Sequence, residues 1–260
     1  MQHAHPAGQL LAGRVMDAIT VHVLLVVFVA TLIRSAFGFG EALFAVPLLA
    51  FRLPLSVAAP LAVLISITIA GVVVVQDWQK IHWRSAGWLV AATLFGIPLG
   101  LLLLTSRHQE GVKVALGLFL IGFCVYSLSS SQIPALHTDS RVWLVGCGLF
   151  AGVLGGAYGM NGPPLVIYGT MRGWTPQHFR ATLQGYFLPA SIMGMIGYWL
   201  RGLWVPAVTH YYLISLPAAL PAIFFGRLVN HRLRGKSFLR SAYLCLAGIG
   251  AALVIQSIMA

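Results

Sequence analysis

Val57-Ala-Ala-Pro-Leu-Ala-Val-Leu-Ile-Ser-Ile-Thr-Ile-Ala-Gly-Val-Val-Val-Val75 runs without a single Asp, Glu, Lys or Arg. A helix of about 20 apolar residues crosses the hydrocarbon core of a bilayer. This run matches that length, and it recurs: Ser85–Ser106, Val205–Gly226 and Ser241–Ala260 are also free of those four residue types. Across the 260 residues, 59% are hydrophobic and 8% charged, and the mean hydropathy is +0.89. A soluble domain carries about 25% charged residues, so too little polar surface exists here to cover a water-soluble sphere. Strand-like alternation of apolar and polar residues is absent, which argues against a transmembrane barrel. The fold class is an all-α polytopic membrane protein.

Outward from the opening run, helices are expected at about 17–35, 56–76, 86–104, 112–130, 142–157, 178–200, 206–228 and 238–258. Two further apolar stretches, about 41–51 and 163–171, are too short to span alone, and each follows a glycine cluster. Residues 1–15 form a polar N-terminal segment, expected to stay attached and poorly ordered. The three cysteines, Cys124, Cys147 and Cys245, all sit in apolar runs and make neither a disulfide framework nor a metal site. Apart from His3 and His5, the nine histidines show no metal-ligand spacing. The net charge of +11 lies in the short connections between apolar runs, where membrane topology places it, so nucleic acid is rejected as a partner. Part of that charge could draw in an anionic substrate.

The two glycine clusters resemble one another. Ser35-Ala-Phe-Gly-Phe-Gly-Glu-Ala-Leu-Phe-Ala-Val-Pro47 matches Gly156-Ala-Tyr-Gly-Met-Asn-Gly-Pro-Pro-Leu-Val-Ile-Tyr168, with Gly38 on Gly159, 121 positions later. Further on, Ala92-Thr-Leu-Phe-Gly-Ile-Pro-Leu-Gly100 matches Ala218-Ala-Leu-Pro-Ala-Ile-Phe-Phe-Gly226, 126 positions later. Two anchors in the same order divide the chain into homologous halves, 16–130 and 141–260, joined by a linker at 131–140. Two layouts follow. If each short stretch completes the span before it, the chain has about eight spans with two helices broken at the glycine motifs, and the halves are parallel repeats. If each is a separate crossing, there are ten crossings and the halves are inverted repeats. Lys and Arg divide ten against five between the two sides in either layout, with Arg34 set aside as intramembrane, so the positive-inside rule does not choose. Both layouts put 227–240 in the cytoplasm and both termini outside, in a bacterial inner membrane.

In hydrocarbon every backbone N–H and C=O needs a partner, so a broken helix is tolerated only inside protein or along a watery cavity. The freed N–H groups at the start of the next half-helix suit an anion. Paired breaks at corresponding places point to a transporter's substrate site, while the plainer reading is close helix packing through glycine. Candidate substrate contacts are therefore Arg34, Ser35, Phe37, Gly38, Phe39 and Gly40 at the first break. At the second they are Tyr158, Gly159, Met160, Asn161 and Gly162. Gln184 follows one helix later, with Tyr186 in the same stretch. The chain holds five acids, Asp17, Glu41, Asp77, Glu110 and Asp139, and only Glu41 sits inside a break. Three readings stay open for it: a proton carrier, a structural ion pair with Arg34 seven residues earlier, or an interfacial, solvated acid. The seven tryptophans fall near span ends as an aromatic belt.

These clusters, Phe37-Gly-Phe-Gly-Glu-Ala-Leu-Phe-Ala-Val-Pro47 and Gly155-Gly-Ala-Tyr-Gly-Met-Asn-Gly-Pro-Pro164, resemble the sulfite exporter TauE/SafE family, also called toluene sulfonate uptake permeases. The likeness in length, span layout and duplication covers nearly the whole chain. The family's glycines run on where this chain has Glu41-Ala42. The resemblance implies transport of sulfite, organosulfonates or related sulfur-containing organic anions.

Taken together, the expectation is a secondary transporter of small anions working by alternating access, with coupling to H+ through Glu41 or to Na+, and with no cofactor or metal. The alternatives are a passive anion channel, a membrane-embedded enzyme and an accessory membrane subunit. No Gly-x-x-x-x-Gly-Lys-Ser/Thr motif for ATP is present. The expected partners are a small anionic substrate and the lipid bilayer. Import against export and homo-oligomerisation stay open.

Overall fold

The computed structural model describes residues 6–104, 140–158 and 160–232, with isolated positions in 114–136 and 244–255. The helices expected at 112–130 and 238–258 fall almost wholly outside the described residues, as do Gly159, Glu110 and Asp139. All regular structure among the described residues is helical: α1 (Pro6–Phe37), α2 (Glu41–Ala50), α3 (Leu55–Asp77), a short 3-10 turn (Trp78–Lys80), α4 (Trp83–Leu104), α5 (Arg141–Tyr158), α6 (Gly162–Met171), α7 (Pro176–Leu200) and α8 (Pro206–Arg232). Among the described residues four helical segments are long and apolar enough to cross a membrane: Ala18–Phe37, Leu55–Lys80, Trp83–Leu103 and Pro206–Asn230. α7 has the length, with 25 residues. Its buried Arg180, Gln184 and Ser191 turn inward, which lowers its apolar character without exposing polar groups to lipid.

The expected helices lie close to the observed ones except at the N-terminus. There α1 begins at Pro6, ahead of the expected start at about 17. Leu10, Leu11, Ala12, Arg14 and Met16 are good helix formers that extend the apolar helix backwards.

Both short helices double back rather than extend the helix before them. Arg34 of α1 touches Glu41 at the start of α2, and the His22 ring bonds the Leu48 carbonyl near the end of α2 at 2.9 Å. Later residues of α2 therefore lie beside earlier residues of α1. In the second case, Asn161 lies against Gly155 of α5. The Met171 carbonyl at the end of α6 accepts from the N–H of Leu136, which precedes α5.

Around these hairpins α1 packs on α8, α5 packs on α4, and α3 and α7 meet between them. The close seams are made by glycine, which lets helix backbones approach. A Cβ on Gly226 of α8 would meet Leu32 O, Ser35 Cβ and Ala36 N of α1. A Cβ on Gly100 of α4 would meet Val153 O, Gly156 Cα and Ala157 N of α5. These contact residues pair off at the spacing of 121 that relates Gly38 to Gly159, and two of the three contacts involve the same backbone atom.

One end of the molecule gathers the last residues of α1, α3 and α8 with the first turns of α7. Arg180 bonds both Asp77 and the Ser35 carbonyl, and Asn230 bonds the Ala36 carbonyl at 2.6 Å. Lys80 and Arg227 lie there too. This is the basic end.

Candidate functional site

The chain turns at Phe37-Gly38-Phe39-Gly40 because two glycines accept left-handed backbone, with φ of 86° at Gly38 and 99° at Gly40. Gly38 caps α1, its N–H bonding the Arg34 carbonyl at 2.6 Å. Gly40 is the N-cap of α2 and offers no side chain, so the first N–H groups of α2 are left without side-chain caps. The second break ends at Asn161-Gly162, and α6 begins Gly162-Pro-Pro164. Proline is tolerated in a first turn but supplies no N–H, so α6 offers fewer donors than α2.

The two breaks meet. A Cβ on Gly162 would lie 3.8 Å from Phe39 Cβ and 3.9 Å from Leu43 Cδ1. Gly40, Glu41, Ala42 and Leu43 from one side and Met160, Asn161 and Gly162 from the other line one small pocket with Arg34, Ser66 and Phe187. α2 leads away from the basic end and α6 leads back towards it. Both half-helices thus point their N-termini at the pocket, each worth about +0.5 elementary charge.

Arg34 is the hub of this pocket and is 3% exposed. Its Nη1 donates to Glu41 Oε2 at 2.6 Å and to Ser66 Oγ at 2.6 Å. Its Nε and Nη2 donate to Gln184 Oε1 at 3.2 and 2.9 Å, and Nη2 also reaches the Ser66 carbonyl at 3.5 Å. The five guanidinium N–H groups are all engaged, and the Phe187 ring stacks beneath at 4.5 Å. Gln184 in turn donates to the Gly38 carbonyl at 2.8 Å, which ties the hub to the break. Glu41 is 1% exposed, and its Oε1 has no hydrogen-bond partner among the described residues.

Of the residues expected from sequence, Arg34, Gly40, Glu41, Met160, Asn161 and Gly162 line the pocket. Gln184 and Gly38 bond to its wall. Phe39 is buried against Gly162 and edge-on to Phe179. Ser35 faces elsewhere, its hydroxyl donating to the Ile223 carbonyl at 2.6 Å, and Phe37 packs against the apolar core. The side chain of Tyr158 lies outside the described residues, as does Gly159. Tyr186 is fully buried and bonds Thr93 at 2.7 Å and also Asn161, so it steadies the second break from behind.

The sequence reading missed Ser66, Ser191 and Phe187. Ser66 bonds Arg34 and Ser191, the latter at 3.0 Å. A signal for Ser66 existed: it and Thr68 are the two hydroxyls in the run 57–75. Among the described residues no three His, Cys, Asp or Glu side chains gather where a metal ion could sit.

The family model for the sulfite exporter TauE/SafE matches residues 23–253. The chain belongs to the sulfite exporter TauE/SafE family. As a TauE/SafE member it is a multi-pass membrane protein of a transporter family. It is similar to a protein of Cupriavidus necator named "Probable sulfite/organosulfonate exporter TauE", at 24% identity over 231 residues, covering 87% of this chain and 89% of that one. No solved structure matches.

Proposed function

We propose that the chain is a secondary transporter that exports small sulfur oxyanions, sulfite or organosulfonates, by alternating access from the pocket between the two breaks. One observation carries this reading: two half-helices from opposite directions bring their N-termini to one small pocket that also holds the buried Arg34. The charge balance favours an anion. Arg34 and Glu41 cancel, and the two helix ends leave about +1 in the pocket. The family and the printed name of the Cupriavidus necator relative supply the sulfur chemistry. Burial of Arg34 and Glu41 favours a carrier over an open channel.

Arg34 has no free donor, so an arriving oxyanion has to displace one of its partners. Glu41 is the one that can leave by taking a proton. Protonation removes the competing carboxylate and raises the pocket to about +2. Among the residues lining the pocket Arg34 and Glu41 are the only charged ones, so the linkage runs one way: anion binding strengthens as pH falls. In reconstituted vesicles the apparent affinity for ethanesulfonate should rise with acidification in the wild type and be flat with pH in Glu41→Gln. A Glu41→Gln variant that keeps the wild-type pH profile removes Glu41 from coupling, and wild-type vesicles without anion uptake sink the transporter itself.

For the layout, we propose ten crossings as inverted repeats, in an inner membrane with the basic end in the cytoplasm. Support comes from the doubling back of α2 and α6 and from the equivalent contacts of Gly226 and Gly100. The exchange of partners, α1 on α8 and α5 on α4, is what a two-fold axis between halves requires.

A further inference from the structure

We propose that the basic end carries a second anion site, built by Arg180, Lys80 and Arg227 around Asp77, which collects a sulfonate or sulfite on its way to Arg34. The proposal rests on the anion-transport reading and adds a place where the substrate enters.

Asp77 is the only acid among the described residues there, and three cations share it. Its Oδ2 accepts from Arg180 Nη1 at 2.7 Å. Its Oδ1 lies 3.3 Å from Lys80 Nζ and 3.7 Å from Arg227 Nη2. The cluster is left with two uncancelled positive charges. The usual excess of basic residues on one membrane face accounts for Lys80 and Arg227, which are 39% and 38% exposed at the side chain. It does not account for Arg180, whose side chain is 4% exposed and which shares its single acid. A buried charge normally requires full pairing.

Arg180 also differs from Arg34 in its bonds. Nε donates to the Ser35 carbonyl at 2.8 Å, Nη1 to Asp77, and Nη2 only weakly to Ser35 Oγ at 3.4 Å. A guanidinium has five N–H donors, so two remain without a described partner. Arg180 lines a small pocket with Asp77, Lys80, Gln177 and Asn230. That wall offers guanidinium, ammonium and amide donors, the set that suits the three oxygens of a sulfonate. Asp77 stands in for the anion when the pocket is empty, as Glu41 does at Arg34.

The two sites are joined. Gln184 lies one helical turn beyond Arg180 and accepts from Arg34. Arg180 and Gln184 also hold the same turn of α1, through the carbonyls of Ser35 and Gly38. An anion released from Arg180 therefore has Arg34 as its next cation.

The test is sided transport of radiolabelled ethanesulfonate by the full-length protein in oriented vesicles, with Arg227→Gln and Arg227→Lys. Arg227→Gln should raise KM about 3–10-fold when substrate is offered at the basic end, the worth of one half-exposed charge. From the opposite side KM should stay at the wild-type value while kcat in that direction falls by the same factor, because a substitution cannot alter the transmembrane equilibrium and kcat/KM must change equally in the two directions. Arg227→Lys should restore the KM, and the difference should fade near 1 M salt. Equal change in KM from both sides, or none, overturns the proposal while leaving the transporter intact. If the wild type transports nothing, the transport reading fails separately. Equilibrium binding of ethanesulfonate to purified protein then decides the site: binding that survives Arg34→Gln and weakens in Arg227→Gln supports it, and binding indifferent to Arg227 overturns it.

Discussion

The Arg34–Glu41 pair is held at 2.6 Å with both side chains nearly fully buried. Breaking such a pair from one side costs about 3–5 kcal/mol, whereas replacing both partners with neutral groups is often close to neutral. Arg34→Met alone should therefore lower the thermal midpoint of the purified protein strongly. Arg34→Met combined with Glu41→Gln should recover most of the loss. If the double variant is no more stable than the sum of the single ones, the pair is not a coupled unit. The pairing was within reach of the sequence, since seven residues are two helical turns. The route actually taken was not: the helix ends between the two residues, and the chain folds Glu41 back onto Arg34. Ser66, Ser191 and Gln184 could not be joined to Arg34 from sequence, because the bonds span 32 to 150 positions and carry no local pattern.

At the level of the helices, the break at Gly38 depends on backbone that other residues rarely adopt. Gly38 has φ of 86°, and a Cβ there would stand 2.8 Å from the Cα of Arg180. Gly38→Ala should cost about 1–3 kcal/mol in strain alone, with loss of ethanesulfonate binding as the turn that Arg34, Arg180 and Gln184 hold is pushed apart. Gly71→Ala is the control, since among the described residues nothing beyond its own helix backbone and chain neighbours lies within 4 Å of a Cβ there, and α3 should be unchanged or up to about 1 kcal/mol more stable. A Gly38→Ala protein that melts and binds like the wild type would reduce the break to packing. Glycine clusters announced both breaks in the sequence, and long apolar runs announced the spans. The direction of the short helices was hidden, because charge counts ten against five whichever way they run. Only contacts such as His22 with Leu48 carry that information.

Across the whole molecule, the proposed ten-crossing layout puts Gln79 and Gln177 on one face and Arg52 on the other. In a protein with Cys124, Cys147 and Cys245 replaced by alanine, single cysteines at 79 and 177 should react with a membrane-impermeant thiol reagent from the same side, and a cysteine at 52 only from the opposite side. Labelling of 52 and 177 from one side would restore the eight-span layout. The proposed duplication rests in the sequence on two weak anchors, and nothing there said that α1 would pack on α8 and α5 on α4. That packing has a consequence for biogenesis. The surface of α1 at Leu32, Ser35 and Ala36 packs closely on Gly226 of α8, nearly two hundred residues further along the chain. During synthesis α1 should therefore wait in the bilayer without its closest-packing partner until α8 arrives. A first half expressed alone should be left unfinished, and supplying the second half as a separate polypeptide should complete it.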